Sequence, residues 1–180
     1  MKKIVIAAVL AAASFSANAA IEILGGKLYV ADTGNVTVSF LGSDAGYTDV
    51  LFFDPAGRNQ QMFVGHSTPI GTSINLGTFT KGTELKFRMH VNNTGNDFYT
   101  GPASANFDNV FHAKATLDNN KSAIIGFEDL QGGGDRDYND IEFRITNVSA
   151  VPEPTTWGML LGGLGLMGFM ARRKQASKLV

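Results

Sequence analysis

Three stretches of the chain alternate strictly between apolar and polar residues. Val36, Val38 and Phe40 alternate with Thr37 and Ser39. Leu85, Phe87, Met89 and Val91 alternate with Lys86, Arg88 and His90, and Ile141, Phe143 and Ile145 with Glu142 and Arg144. A period of two puts one set of side chains on a core and the other in water, as in a half-buried strand. Less regular apolar runs at 27–30, 49–53, 61–64, 74–79, 111–115 and 123–127 add six expected strands. Turn formers separate them at 32–34, 42–46, 54–57, 92–96 and 118–120. With no amphipathic helix of useful length and no repeat of fixed period, the pattern predicts an all-β fold, an antiparallel β-sandwich or jelly roll.

The last two runs flank a segment crowded with glycine and oxygen ligands, from Gly126 to Arg144. Asp135, Asp137 and Asn139 fall at alternate positions, the opening D-x-[DN]-x-[DN] of a calcium loop. An EF-hand would continue with Gly at the sixth position and Glu at the twelfth, where this chain has Asp140 and Thr146. A bidentate carboxylate must therefore come from the opposite arm, from Glu128 or Asp129. The connection from Asp129 to Asn139 is long for a hairpin, where ~2–5 residues is usual. Gly132-Gly133-Gly134 makes it costly to order, because glycine has the most backbone freedom to lose. These residues predict a β-hairpin stapled by calcium, with Asp135, Asp137, Asn139 and Asp140 plus Glu128 or Asp129 as ligands. The alternative is a solvated acidic turn whose side chains bond only backbone amides. Tyr138 alternates with Asp137 and Asn139, so it turns away from a shared ligand and is expected to pack.

Charge sharpens this picture once the ends are set aside. Between Ala20 and Ala150 there are nine Lys or Arg and fifteen Asp or Glu, a net of −6, whereas the whole chain carries −1. An acidic body argues against nucleic acid, which needs a basic footprint, and suits a cation. The absence of cysteine excludes disulfides, thiol catalysis and Cys-ligated zinc. His66, His90 and His112 show no ligand spacing and read as surface or packing residues. Ser43 and Ser67 lack a nucleophile-elbow context. Carboxylate pairs for glycosidase chemistry stay open as an alternative, since their separations are not readable here.

Both ends carry processing signals. Lys2 and Lys3 precede an apolar region from Ile4 to Ala13, and Ala17-Asn18-Ala19 offers signal peptidase a small-residue site, with cleavage expected before Ala20. Residues 1–19 are thus an expected signal peptide and 20–150 the β-sandwich body. At the other end, Pro152-Glu153-Pro154 precedes an apolar run at 157–171, closed by Arg172-Arg173-Lys174. Fifteen helical residues span about 22 Å, short of the ~30 Å hydrocarbon core, so flanking residues must snorkel or the bilayer thin. Trp157 stands where an interfacial anchor belongs, and the basic cluster keeps the C-terminus inside. This predicts one short transmembrane helix holding a precursor in the inner membrane, within a segment at 151–175, and a cytoplasmic tail at 176–180.

The motif Pro152-Glu153-Pro154, the short glycine-rich span and the Arg172-Arg173 stop resemble the PEP-CTERM sorting signal of Gram-negative bacteria. That resemblance implies recognition by an exosortase and a final location at the cell surface or in an extracellular exopolysaccharide (biofilm) matrix. The body resembles the family called domain of unknown function 4114, through Phe127-Glu128-Asp129-Leu130, Gly132-Gly133-Gly134 and Asp135-Arg136-Asp137-Tyr138-Asn139-Asp140. It implies a β-sandwich module of exported proteins and no established activity. The expected function is a non-enzymatic, calcium-stabilised surface or matrix module. The alternative is a secreted polysaccharide-binding lectin or glycoside hydrolase.

Overall fold

The computed structural model describes residues 20–118 and 121–150. The expected signal peptide, sorting signal, membrane span and tail lie outside the described residues. Within them run β1 (Ile21–Leu24), β2 (Leu28–Val30), β3 (Gly34–Gly42), β4 (Asp49–Phe53), β5 (Gln60–Val64), β6 (Ser73–Phe79) and β7 (Glu84–Leu85). There follow β8 (Phe87–Val91), β9 (Asn96–Tyr99), β10 (Ala113–Leu117), β11 (Ser122–Phe127), β12 (Ile141–Thr146) and β13 (Val148–Ser149). Among the described residues the only helical segments are two single 3₁₀ turns, Pro55–Gly57 and Ala103–Ala105, and no helix is long and apolar enough to cross a membrane.

Every strand pairing is antiparallel. A six-stranded sheet has the order β1-β10-β11-β12-β3-β6, a four-stranded sheet β5-β4-β8-β9, and a three-stranded sheet β13-β2-β7. The two larger sheets face each other across one core. Phe40 of β3 meets Phe63 of β5 at 5.4 Å between ring centroids, and Phe143 of β12 meets Phe87 of β8 at 4.9 Å. Phe53 of β4 meets Phe79 of β6 edge-on at 5.7 Å. Phe79 is half-buried, and each of the fully buried rings contributes ~1.5–3 kcal/mol of transfer free energy. In a chain without disulfides that core has to hold the sandwich-like body together.

The alternation reads the strand faces correctly. Val36, Val38 and Phe40 are buried, as are Ile141, Phe143 and Ile145, with half-buried or exposed residues between them. The run at 85–91 is buried in phase throughout but is not one strand. Leu85 pairs with Leu28 in the three-stranded sheet, whereas Phe87 pairs with Phe53 in the four-stranded sheet, so the chain changes sheets at Lys86. Three strands, β1, β9 and the two-residue β13, were not among those expected. β1 is an edge strand with Ile21 and Leu24 exposed, and β9 buries only Phe98. At the third departure, β10 begins at Ala113, because His112 serves the loop described next.

Candidate metal centre

β11 and β12 form the expected hairpin, in register from Ser122↔Thr146 to Phe127↔Ile141. Residues 128–140 therefore connect them. The connection folds back over the outer face of the six-stranded sheet, and Gly126 makes this possible. A Cβ at that position would stand 1.9 Å from the Tyr138 carbonyl oxygen, so only glycine lets the loop lie this close. In the same row of the sheet, Gly126 pairs with Lys114 on one side and Glu142 on the other. The Tyr138 ring fills this row under the Lys114 ammonium, 5.0 Å from the ring centroid, and is only 7% exposed. It packs, as its spacing predicts.

The loop's backbone explains why alternate side chains converge. Gly134, Arg136 and Tyr138 all take positive φ, at 46°, 66° and 60°. Interposing left-handed residues between Asp135, Asp137 and Asn139 curls the chain and turns these three side chains toward one side. Only glycine adopts such a conformation freely, so Arg136 and Tyr138 are held there against their preference. Glu128 supplies part of that hold: its Oε1 accepts the Tyr138 amide at 2.6 Å, and its carboxylate also draws the Arg136 amide. Local bonds continue outward. Asp135 Oδ1 accepts the Asp137 amide at 3.4 Å, Asp137 Oδ1 accepts the Asn139 amide at 3.2 Å, and Asn139 Nδ2 donates to Asp137 Oδ2 at 2.6 Å.

The base of the loop is tied down by residues that spacing did not single out as a site. His112 is fully buried and stacks on Phe98, 3.7 Å between centroids. Its Nδ1 meets the Glu128 carbonyl at 3.0 Å and its Nε2 meets Asp108 Oδ2 at 2.8 Å, while the Glu128 amide donates to the His112 carbonyl. Asp108 Oδ2 also accepts the Gly132 amide at 2.8 Å. Burial works to raise the Asp108 carboxyl, but the Gly132 amide, the His112 ring and the Val110 amide outweigh it and hold it below the usual range. His112 is thus a packing histidine that positions Glu128.

Asp135, Asp137, Asn139 and Asp140 were expected to gather with Glu128 or Asp129, and the structure sorts these residues. One carboxylate oxygen each from Glu128, Asp135 and Asp137 lies within 4.8 Å of the others. Glu128 is buried, and Asp135 and Asp137 are exposed. Asn139 and Asp140 join them, with Asp44 and Leu130, in lining a cleft of about 230 Å³. Asp129 is not among these residues. The alternation that buries Ile125 and Phe127 runs on to Asp129, which is 3% exposed, whereas Glu128 lies under the loop. Asp140 stands between the two groups, with its Oδ2 accepting the Asp129 amide at 2.7 Å.

The electrostatics follow from this crowding. Burial raises the Glu128 carboxyl, opposed by the Tyr138 amide and reinforced by the charges of Asp135 and Asp137. Burial likewise pushes Asp140 up to about 7, with Asp129, Glu128 and Asp137 adding to the effect. Glu142, on the same sheet face, is raised by burial and by Asp137, with Lys114 opposing. Like charges held this close favour either protons or a cation. A hard divalent ion with oxygen ligands suits the donor set, which is all carboxylate, amide and carbonyl.

A further residue escaped attention although its pattern was legible. Asp49 opens β4 in phase with the buried Leu51 and Phe53, and is itself fully buried. A charged residue on the inward phase of a strand is the signal that would have found it.

Comparison with known families follows the same division of the chain. Residues 79–147 match the model of the domain of unknown function DUF4114, which takes in the whole loop from Glu128 to Asp140 but not Asp49. Residues 150–174 match the PEP-CTERM protein-sorting motif. No curated protein matches the chain. The chain is similar to both families that its residues resemble, and the sorting motif makes it an exported protein with exosortase as its processing partner.

Proposed function

We propose that this is a non-enzymatic, exported surface or matrix module whose β11–β12 loop is stapled by one calcium ion. Exported, as its sorting motif indicates, and displayed outside the cell on this reading, it would meet calcium at the millimolar level to which extracellular modules are tuned, ~10⁻⁴ to 10⁻³ M. The observation that carries the reading is the convergence of Glu128, Asp135 and Asp137 to within 4.8 Å. Asn139 and Asp140 in the same cleft would complete the shell. The Asx bonds of Asp135 and Asp137, and the Tyr138 and Arg136 amides on Glu128, match the solvated-turn alternative too; what favours the ion is that Glu128 is buried beside two like charges. Attachment to exopolysaccharide would follow from display by the sorting system. Thermal melts of the full-length chain in detergent, with calcium and with chelator, test the staple. A midpoint that rises with millimolar calcium supports it, and identical midpoints reduce the loop to a solvated turn.

One observation favours a second reading, a glycan-binding module. The outer face of the four-stranded sheet carries a cleft of about 490 Å³ lined by Phe52, Asp54, Asn59, Arg88, His90, Asp97 and Tyr99. Aromatic walls with planar polar groups are what sugar recognition uses. Here, however, the Arg88 guanidinium stacks on Phe52 at 4.1 Å and bonds Asn59 and Asp97, and His90 Nδ1 bonds Asp97 at 2.9 Å. Those groups are committed to one another, so the structural module is the preferred reading. Glycan-array binding lost in Tyr99→Ala at unchanged melting temperature would favour the lectin instead.

A further inference from the structure

The sorting motif begins where the folded body ends. The match to it starts at residue 150, and Ala150 still packs against the hydrophobic core. Val148, two residues earlier, is 1% exposed. Only Val151 separates Ala150 from Pro152-Glu153-Pro154. Two residues of fully extended chain reach about 7 Å, so a seated Ala150 keeps the motif against the body. An enzyme that takes an extended segment binds it through main-chain hydrogen bonds, and needs the backbone on both sides clear of other pairing.

The chain is held there by β13, which is short. It is the edge strand of the sheet β13-β2-β7 and pairs with β2 through Val148↔Val30 and Ser149↔Tyr29. The Val148 amide also donates to the Lys121 carbonyl at 2.9 Å. Upstream the attachment is firmer. β12 lies between β11 and β3 in the six-stranded sheet, and Asn147 is fixed through its side-chain amide. Its Oδ1 accepts the Asp32 amide at 3.0 Å, and its Nδ2 donates to the carbonyls of Asp32 and Asn35 at 2.8 Å and 3.2 Å. Its own carbonyl accepts the Ala31 amide at 2.9 Å. With φ at 60°, Asn147 turns the chain from one sheet into the other. Residues 148–150 can therefore peel from β2 while Asn147 and β12 stay in place. That release adds three residues, up to about 10 Å of chain, between the body and the motif.

We propose that β13 is a clip that gates exosortase processing. Closed on β2, it draws the sorting motif against the body; peeled back to Asn147, it gives the enzyme an extended segment. Short edge elements open at the low end of a fold's local stabilities, and cleavage of an opened state follows its population when opening is fast. Val148 sets that population, because its burial is what the clip loses on opening. The inference rests on the sorting motif and on β13, and is independent of calcium and the acidic loop.

A reversible lock tests it. The chain has no cysteine, and Tyr29 stands opposite Ser149. Such antiparallel partners lie ~4.5–5.5 Å apart between Cα atoms, a separation that a disulfide accepts. Full-length Tyr29→Cys/Ser149→Cys is produced in cells that carry the cognate exosortase. Pulse-chase labelling and mass spectrometry follow its processing, and non-reducing gels confirm the bond. The oxidised variant should remain at precursor mass and reach mature mass once reductant is added. A Gly-Ser spacer inserted between Ala150 and Val151 leaves every strand intact, and should relieve the lock and speed wild type severalfold. A locked precursor processed at the wild-type rate overturns the clip, and so does a spacer that changes neither rate. Should the double variant fail to fold or to oxidise, Val148→Ala carries the decision: a severalfold faster rate upholds the clip, and an unchanged rate overturns it. A wild type that keeps its tail overturns the clip together with the expectation of processing.

Discussion

Glu128→Gln is the substitution that separates a metal ligand from a structural carboxylate. Gln keeps an oxygen that can accept the Tyr138 amide, which Glu128 now binds at 2.6 Å, while it removes the charge and turns the second acceptor oxygen into a donor. Without metal, that charge is a liability: Asp135 and Asp137 both act to raise the Glu128 carboxyl. The variant should therefore melt in chelator at the wild-type temperature or above it. With calcium at a hundred times the dissociation constant, the ion adds ~2.7 kcal/mol to wild type. For a body of about 130 residues, 1 kcal/mol moves the midpoint by roughly 4 °C, so wild type should gain about 10 °C. One carboxylate at about 4 Å from a doubly charged ion is worth roughly 8 kcal/mol at an effective dielectric constant of about 20. Forfeiting a third of that erases the response. The two melting curves should thus change order: variant at or above wild type in chelator, wild type above variant in calcium. Differential scanning fluorimetry across a calcium series reads this directly. A variant that loses the same stability with and without calcium would show that Glu128 serves only to hold backbone amides, and the metal argument would fail.

Gly126→Ala should lower stability by roughly 3 kcal/mol, because its Cβ would meet the Tyr138 carbonyl at 1.9 Å. Gly46→Ala, where nothing lies within 4 Å, should stay within about 0.5 kcal/mol of wild type, and chemical denaturation compares the two. In chelator, stability should fall as pH rises from about 4 to about 7. The Asp49 carboxyl stands at 3.8 unfolded and about 7 folded, so its contribution is fully present below the first value and lost on passing the second. That single group makes the metal-free fold less stable at neutral pH by at most roughly 4 kcal/mol. Melts at stepped pH in chelator check it. Mass spectrometry of the mature exported protein should find no peptide from beyond Thr156, the outcome expected of exosortase processing near Pro152-Glu153-Pro154. An intact Val180 in the surface pool would instead make the segment a retained anchor.

Much of this protein was legible along the chain because its physics is local. Period-two alternation placed the faces of β3, β8 and β12, since burying one side of a strand constrains every second residue. The acidic hairpin and the inward packing of Tyr138 were legible in the same way, from alternate spacing alone. The sorting motif is a linear signal and needs no fold to be read. What depended on distance in sequence was decided by the tertiary structure. Nothing near Lys86 announces that the chain changes sheets there, because the change is set by Leu28 and Phe53 as competing partners. Glu128 and Asp129 look interchangeable in sequence, and only the sheet separates them, one lining the loop cleft and the other buried in phase with Ile125 and Phe127. Asp49 itself stands about eighty residues before its electrostatic partners, beyond the reach of any spacing rule. Its inward phase on β4 was a local anomaly, but the two sheets had to close on each other before that anomaly had neighbours.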